Sequence, residues 1–198
     1  MLGIRSTWAL EPLMGIVIAH TAHLLSVLAL YQLGWVIWGN RKVAVLSGLL
    51  HVLSPAGLFL SAPYQESTYS FLSFTGFLLL AYSSLKDGSP AARDVLLVLS
   101  GVSFGLATTF RSNGLLNGIP FAYEFLRESL EIVTRPSFAS VRKLAVLGVG
   151  GLCVAAGSVI PQFWAYQTYC SGSSGSDLRP WCSELVPSIY SFVQHHYW

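Results

Sequence analysis

Charge is what this sequence has least of. Only 10% of its 198 residues are Asp, Glu, Lys or Arg, against about 25% in an ordinary soluble domain. So little charge excludes a single water-soluble core with a solvated surface. The 11 Lys and Arg exceed the 9 Asp and Glu by only two. They nowhere gather into a run, which argues against nucleic acid as a partner. Cysteine is scarce as well. Cys153, Cys170 and Cys182 are the only three, too few for a disulfide scaffold, and no His/Cys spacing matches a zinc site. No metal is therefore expected. Aspartate is almost missing from the first half, where Asp87 and Asp94 are the only two before residue 100. No tryptophan is followed by aspartate. Internal repeats are missing too: SAPYQES and RSNG each occur once, which counts against a transporter built from repeated halves.

What fills the chain is apolar. Hydrophobic residues make up 53% of it, and the mean hydropathy is +0.58. The expected fold class is an all-α polytopic membrane protein, a helical bundle with about six membrane passages and one membrane domain over 1–198. The runs expected to span are 13–38, 43–62, 68–85, 95–110, 115–126 and 144–169. The fifth is short or re-entrant, since Asn117, Gly118 and Pro120 interrupt it. Residues 13–38 carry no charged side chain and exceed the length of a signal-peptide core, so they read as a retained helix. His20 and His23 share one helical face there. They are expected to face neighbouring helices and find hydrogen bonds, rather than to act directly in chemistry. Gly148, Gly150 and Gly151 in the last run permit close helix approach.

The positive-inside rule orients these runs. With six passages and a luminal start, Arg41, Lys42, Lys86, Arg93, Arg127, Arg135, Arg142 and Lys143 all fall on the cytosolic side, leaving Arg5, Arg111 and Arg179 luminal. If 115–126 does not cross, the bias largely disappears. The same topology gathers three polar features on the luminal leaflet: SAPYQES, RSNG, and the tail at 170–198, expected as a luminal loop. Cys170 and Cys182 flank the polar part of that tail and can close a disulfide if the lumen is oxidising. Cys153 reads as a small core residue. Pro180, Trp181 and Cys182 read as an interfacial belt or as a loop that contacts lipid or sugar.

Two charged residues stand out at that leaflet. In SPAGLFLSAPYQES, Ser54 to Ser67, the prolines end a helix and Glu66 follows the break. Its bland reading is a carboxylate in the first turn of the next helix, favoured by the helix dipole. Its functional reading is a polar group in a water- or protein-lined site at the membrane rim. Arg111 is either a snorkelling side chain or, with Ser112, Asn113 and Gly114 beside it, a phosphate ligand. A lipid-linked glycosyltransferase and a transporter both fit at this point.

SPAGLFLSAPYQES followed by GLATTFRSNGLLNG resembles the signature pair of the GPI mannosyltransferase 2 family, and PWCSELVPSIYSFVQHHYW is similar to its luminal segment. The resemblance runs from about residue 43 onward, with 13–38 fitting more loosely. It implies a multi-pass endoplasmic reticulum enzyme of the GT-C type. Such an enzyme transfers the second, α1,6-linked mannose from dolichyl-phosphate mannose to the growing glycosylphosphatidylinositol lipid. The implied partners are that donor, the GPI precursor and membrane lipid, with a membrane partner subunit left open; no further cofactor is implied, since no nucleotide diphosphate leaves. The implied substrate-binding residues are Ser61, Pro63, Tyr64, Glu66 and Ser67 in the first motif, and Arg111, Ser112 and Asn113 in the second. Arg111 and Asn113 would engage the lipid phosphate or the sugar, and Glu66 would shape the donor or acceptor site. The family's tryptophan-aspartate element, which carries the catalytic acid, is absent, so the base is unassigned and Glu66 is a candidate for it. The chain therefore reads as an N- and C-terminally incomplete member. The alternative is a catalytically incomplete fragment that only binds lipid or a partner.

Overall fold

The computed structural model describes residues 7–85, 89–171, 179–183 and 188–197. Arg5, Lys86, Asp87 and Trp198 lie outside these. Every element among the described residues is helical: α1 Thr7–Trp38, α2 Arg41–Val52, α3 Gly57–Ser61, α4 Glu66–Ser83, α5 Pro90–Phe110, α6 Ile119–Thr134, α7 Phe138–Tyr169 and α8 Ile189–Tyr197, with 3-10 segments at Ser112–Gly118 and Pro180–Ser183. Three stretches are long and apolar enough to cross a membrane: Leu10–Trp38, Pro90–Phe110 and Phe138–Tyr169. The apolar run at 43–62 is not one helix. Its chain turns at Leu53 to Ala56 around Pro55, where the Ser54 hydroxyl accepts from the Ala56 amide at 3.2 Å. The run at 115–126 is divided too, between the 3-10 segment and α6.

The helices lie side by side in the order α2, α1, α4, α5, α7, α6. Their contacts depend on small residues, because lipid is as apolar as leucine and gives no hydrophobic drive for helices to associate. Along α1 the residues Ala19, Ala22, Ser26 and Ala29 are buried in a 3-4-3 spacing that lays one stripe down the helix, and Gly34 is buried further on. Between α5 and α7, a Cβ on Gly101 would stand 2.5 Å from the Gly150 Cα, and one on Gly157 would strike the Gly105 backbone. Only glycine lets these two backbones meet. Phe104 and Phe121 are the large side chains of the core and stack edge to face at 6.1 Å. The Phe104 ring fills the place of a Gly76 side chain, and the Phe121 ring that of Gly150. Hydroxyls tie α5 to α4: Ser100 donates to the Gly76 carbonyl at 2.7 Å, and Ser103 to the Leu72 carbonyl at 2.8 Å.

These contacts set the direction of each helix. Gly15 of α1 touches Pro63, and Glu66 at the start of α4 meets Arg111 at the end of α5. Arg142 near the start of α7 meets Asp94 near the start of α5. The bundle thus has two polar ends. One carries Pro63, Glu66 and Arg111. The other carries Arg93, Asp94, Arg142 and Lys143, together with Glu124 and Glu128 of α6, which reach Lys143.

Candidate functional site

The first sequence motif forms a compact corner. After Ser61 closes α3, the Tyr64 amide bonds the Ala62 carbonyl at 2.7 Å, and α4 starts at Glu66. Two contacts hold the corner. The Pro63 ring seats where Gly15 has no side chain, since a Cβ there would lie 2.8 Å from the proline's. The Ser67 hydroxyl, fully buried, donates to the Leu60 carbonyl at 2.5 Å, closing α3 onto α4. Ser61 and Tyr64 face outward. Pro63 and Ser67 therefore shape the corner, while Ser61, Tyr64 and Glu66 are presented by it.

The second motif ends α5. Arg111 is its C-terminal cap, in extended backbone (φ −142°, ψ 128°), with its amide on the Ala107 carbonyl. The chain then folds back into the bundle as the 3-10 segment. Gly114 makes this possible, because a Cβ there would come within 2.7 Å of the Thr108 Cα. Deeper in the same segment, buried Asn117 donates its amide to the Ser73 hydroxyl of α4 at 3.0 Å. Ser112 and Asn113 are left exposed at the mouth.

The two motifs meet through one ion pair. Arg111 Nη1 donates to Glu66 Oε1 at 3.0 Å, with the two side chains 39% and 28% exposed. The guanidinium also lies over the Tyr69 ring, 5.8 Å from its centroid. Tyr69 was not among the residues expected from sequence. Its signal was there: it follows Glu66 by three positions on one helix, hence on the same face. Glu66 Oε2 is buried and has no hydrogen-bond partner among the described residues. An unsatisfied buried carboxylate oxygen is costly and calls for a donor. The arrangement offers a hydroxyl acceptor at Oε2 beside the remaining N–H donors of a part-open guanidinium, which suit an anion.

The tail is tied to the same end of the bundle. Cys170, just after α7, is bonded to Cys182 with Cα atoms 5.6 Å apart, and Arg179 lies over the Tyr169 ring at 5.6 Å. Trp181 between them is buried. Cys153 is a free thiol within α7. His20, His23 and His51 sit elsewhere, on α1 and α2. His23 stacks on His51 of α2 at 5.2 Å, and His51 Nε2 bonds the Ser26 hydroxyl at 3.1 Å. His20 bonds its own helix at the Ile16 carbonyl. Among the described residues no three His, Cys, Asp or Glu side chains gather as a metal site.

A helical membrane-type protein with an arginine-carboxylate pair at one end of its bundle is the class these features define. The chain belongs to the mannosyltransferase (PIG-V) family, whose model matches residues 1–198. It is 52% identical over 205 aligned residues to a GPI mannosyltransferase 2 of Chaetomium globosum, covering 95% of this chain and 44% of that one. It is 43% identical to the proteins of the same name from Gibberella zeae and Aspergillus oryzae, in each case over 99% of this chain and 46% of the relative. The chain thus spans somewhat less than half the length of the curated relatives it matches. No solved structure matches it.

Proposed function

We propose that this chain carries the donor-side half of a site that transfers the second mannose, in α1,6 linkage, from dolichyl-phosphate mannose to the GPI precursor. The observation that carries the reading is the Glu66–Arg111 pair, with its free carboxylate oxygen and part-open guanidinium. In such a transfer the acceptor hydroxyl attacks the anomeric carbon, the bond to the phosphate oxygen breaks, and a carboxylate takes the hydroxyl proton. Charge develops on the departing phosphate. A preorganised guanidinium aimed at that charge lowers the barrier. Arg111 takes that role, with Asn113 and Ser112 at the mouth as further donors. Glu66 and the Tyr69 ring hold the guanidinium in place, and Oε2 receives a sugar hydroxyl. Glu66 is engaged by Arg111, so the base is assigned to a carboxylate outside this pair.

The topology proposed with it has six passages: α1, α2 with α3, α4, α5, the 3-10 segment with α6, and α7. Two broken elements support it. The corner at Pro63 and the end of α2 at His51 lie at different levels of α1, against Gly15 and His23, so α2 and α3 together cross the bundle. The 3-10 segment starts beside Glu66, and α6 reaches Lys143 at the other end. All described basic residues except Arg111 and Arg179 then face the cytosol, and the active end faces the lumen of the endoplasmic reticulum.

The test replaces the matching segment of the Chaetomium globosum relative with this chain, in cells lacking the second GPI mannosyltransferase. GPI lipids bearing a second mannose are the expected product. Accumulation of the one-mannose lipid, with the chimera present in the membrane at normal level, overturns the reading. The chain expressed alone separates a self-sufficient enzyme from a part that binds lipid but transfers nothing.

A further inference from the structure

The 3-10 segment capped by Arg111 leads into a groove of about 370 Å3 between α6 and α7. Pockets for small ligands measure roughly 300–1,000 Å3. Leu115 lines the groove and stands about 8 Å beyond Arg111 at the rise of a 3-10 helix. Ile119 and Phe125 form the α6 wall, and Gly148, Gly151 and Ala155 the α7 wall. Phe121 and Val154, both buried, close its floor. From Leu147 to Ala155 it follows α7 for about 12 Å. Every side chain that lines it is apolar. The glycines of α7 divide by what occupies the place of their missing side chains. The Phe121 ring fills it at Gly150, and the Gly105 backbone at Gly157. At Gly151 a Cβ would meet nothing within 4 Å, and at Gly148 only the edge of the Phe125 ring, at 3.7 Å. Gly151 is thus an open notch in the wall, with Gly148 low beside it.

Lipid is as apolar as this groove, so hydrophobicity gives no chain a reason to leave one for the other. An occupant must be led in by another group and held by fit. Continuity with the rim supplies the lead. A phosphate on Arg111 sits at the head of the segment whose Leu115 lines the groove, and its tail then enters as an intramolecular step. A single slot takes one chain, whereas a diacyl lipid brings two. Gly148 and Gly151 are about 4.5 Å apart along the helix, close to the spacing of methyl branches on an extended isoprenoid chain. We infer that Gly148 and Gly151 hold this groove open for the polyisoprenoid chain of the donor lipid, and so make α7 a selector of branched over straight chains. The inference rests on the proposed function, which puts the donor's phosphate on Arg111.

The test is photolabelling of the chimeric enzyme in membranes by a polyisoprenyl phosphate with a diazirine near its phosphate end, read together with mannose transfer. Label is expected on the groove residues of the 3-10 segment, α6 and α7. Gly151→Leu should lower it about tenfold, the scale on which an apolar pocket rejects a group that does not fit. Its unfolding temperature should stay put, since the added Cβ meets no described atom within 4 Å. Leu152→Phe, on the outward side of α7 where Leu152 is 70% exposed, should leave the labelling unchanged. Unchanged labelling in Gly151→Leu overturns the inference, as does an equal loss in Leu152→Phe. If Gly151→Leu loses its thermal transition, Ala122→Leu, which narrows the slot from α6, decides by the same measure. Competition by phosphatidylinositol as strong as by unlabelled polyisoprenyl phosphate overturns the isoprenoid as occupant in favour of an acyl chain. A chimera that transfers no mannose yet is labelled in the groove removes the proposed function and keeps this binding site. One that transfers mannose while labelled elsewhere keeps the function and overturns the groove.

Discussion

Gly105 and Arg111 lie on one helix within two turns of each other, yet they belong to regions of opposite character. The α5–α7 seam is built of backbone against backbone, with no room for a methyl group at Gly105 or Gly157. The Glu66–Arg111 rim is half open, with a carboxylate oxygen that no described residue satisfies. One region spends its residues on contact. The other holds polar groups short of partners, which is the state a binding site needs before its ligand arrives. The difference predicts that substitutions in the seam remove the fold, whereas substitutions at the rim remove function and leave the fold standing.

The largest effect is expected from Gly105→Leu, where a side chain must enter the α7 backbone. Overpacking of a well-packed core costs about 1–3 kcal/mol where side chains and backbone can shift, and a direct backbone contact cannot relax as a side chain does, so the folded bundle should be lost. Size-exclusion profile and thermal unfolding in detergent check this; a monodisperse variant with an unchanged transition would break the comparison. Next comes Arg111→Ala. Loss of one donor to a developing oxyanion costs on the order of 100-fold in rate, so transfer in the chimeric enzyme should fall by about that factor while the unfolding temperature stays put. Arg111→Lys should restore only part of it, because an ammonium keeps the charge but not the planar fork. Glu66→Gln should lose less, about tenfold, since the amide still offers an oxygen to Arg111 but not a charge. A loss thousands-fold larger with the fold intact would make Glu66 the base. Smallest is Asn117→Ala, which removes an interhelical hydrogen bond worth about 0.6–1.7 kcal/mol in membranes. It should lower the unfolding temperature slightly and leave the transfer rate within twofold, a shift that can be read as a free energy.

Much of the bundle was legible in the chain. Runs 13–38, 95–110 and 144–169 are long and nearly free of charge, and each lies within a helix long enough to cross a membrane. Composition alone makes such a segment helical, since lipid leaves backbone groups no other partner. The runs at 43–62 and 115–126 were harder, because apolar composition does not tell where a helix breaks. Pro55 and Pro120 marked the breaks in general terms. That the chain after Arg111 would turn into the bundle as a 3-10 segment depended on Gly114 meeting Thr108, a contact no spacing reveals. Glu66 and Arg111 were each visible as charges at the edges of apolar runs. Their pairing was not, since 45 positions separate them, and the spacing of Tyr69 from Glu66 gains its meaning only from that pairing.

Sequence by itself determined the solvent this chain is made for and the residues that interrupt it, because transfer of charge into hydrocarbon is costly enough to write itself into composition. It also determined the family, since long motifs in order do not recur by chance. Tertiary structure alone decided which glycines are contacts, which hydroxyls link helices, and which of two polar ends pairs a carboxylate with an arginine while leaving one of its oxygens without a partner among the described residues. Those properties arise from distances between separate helices, set by how closely small residues let backbones approach.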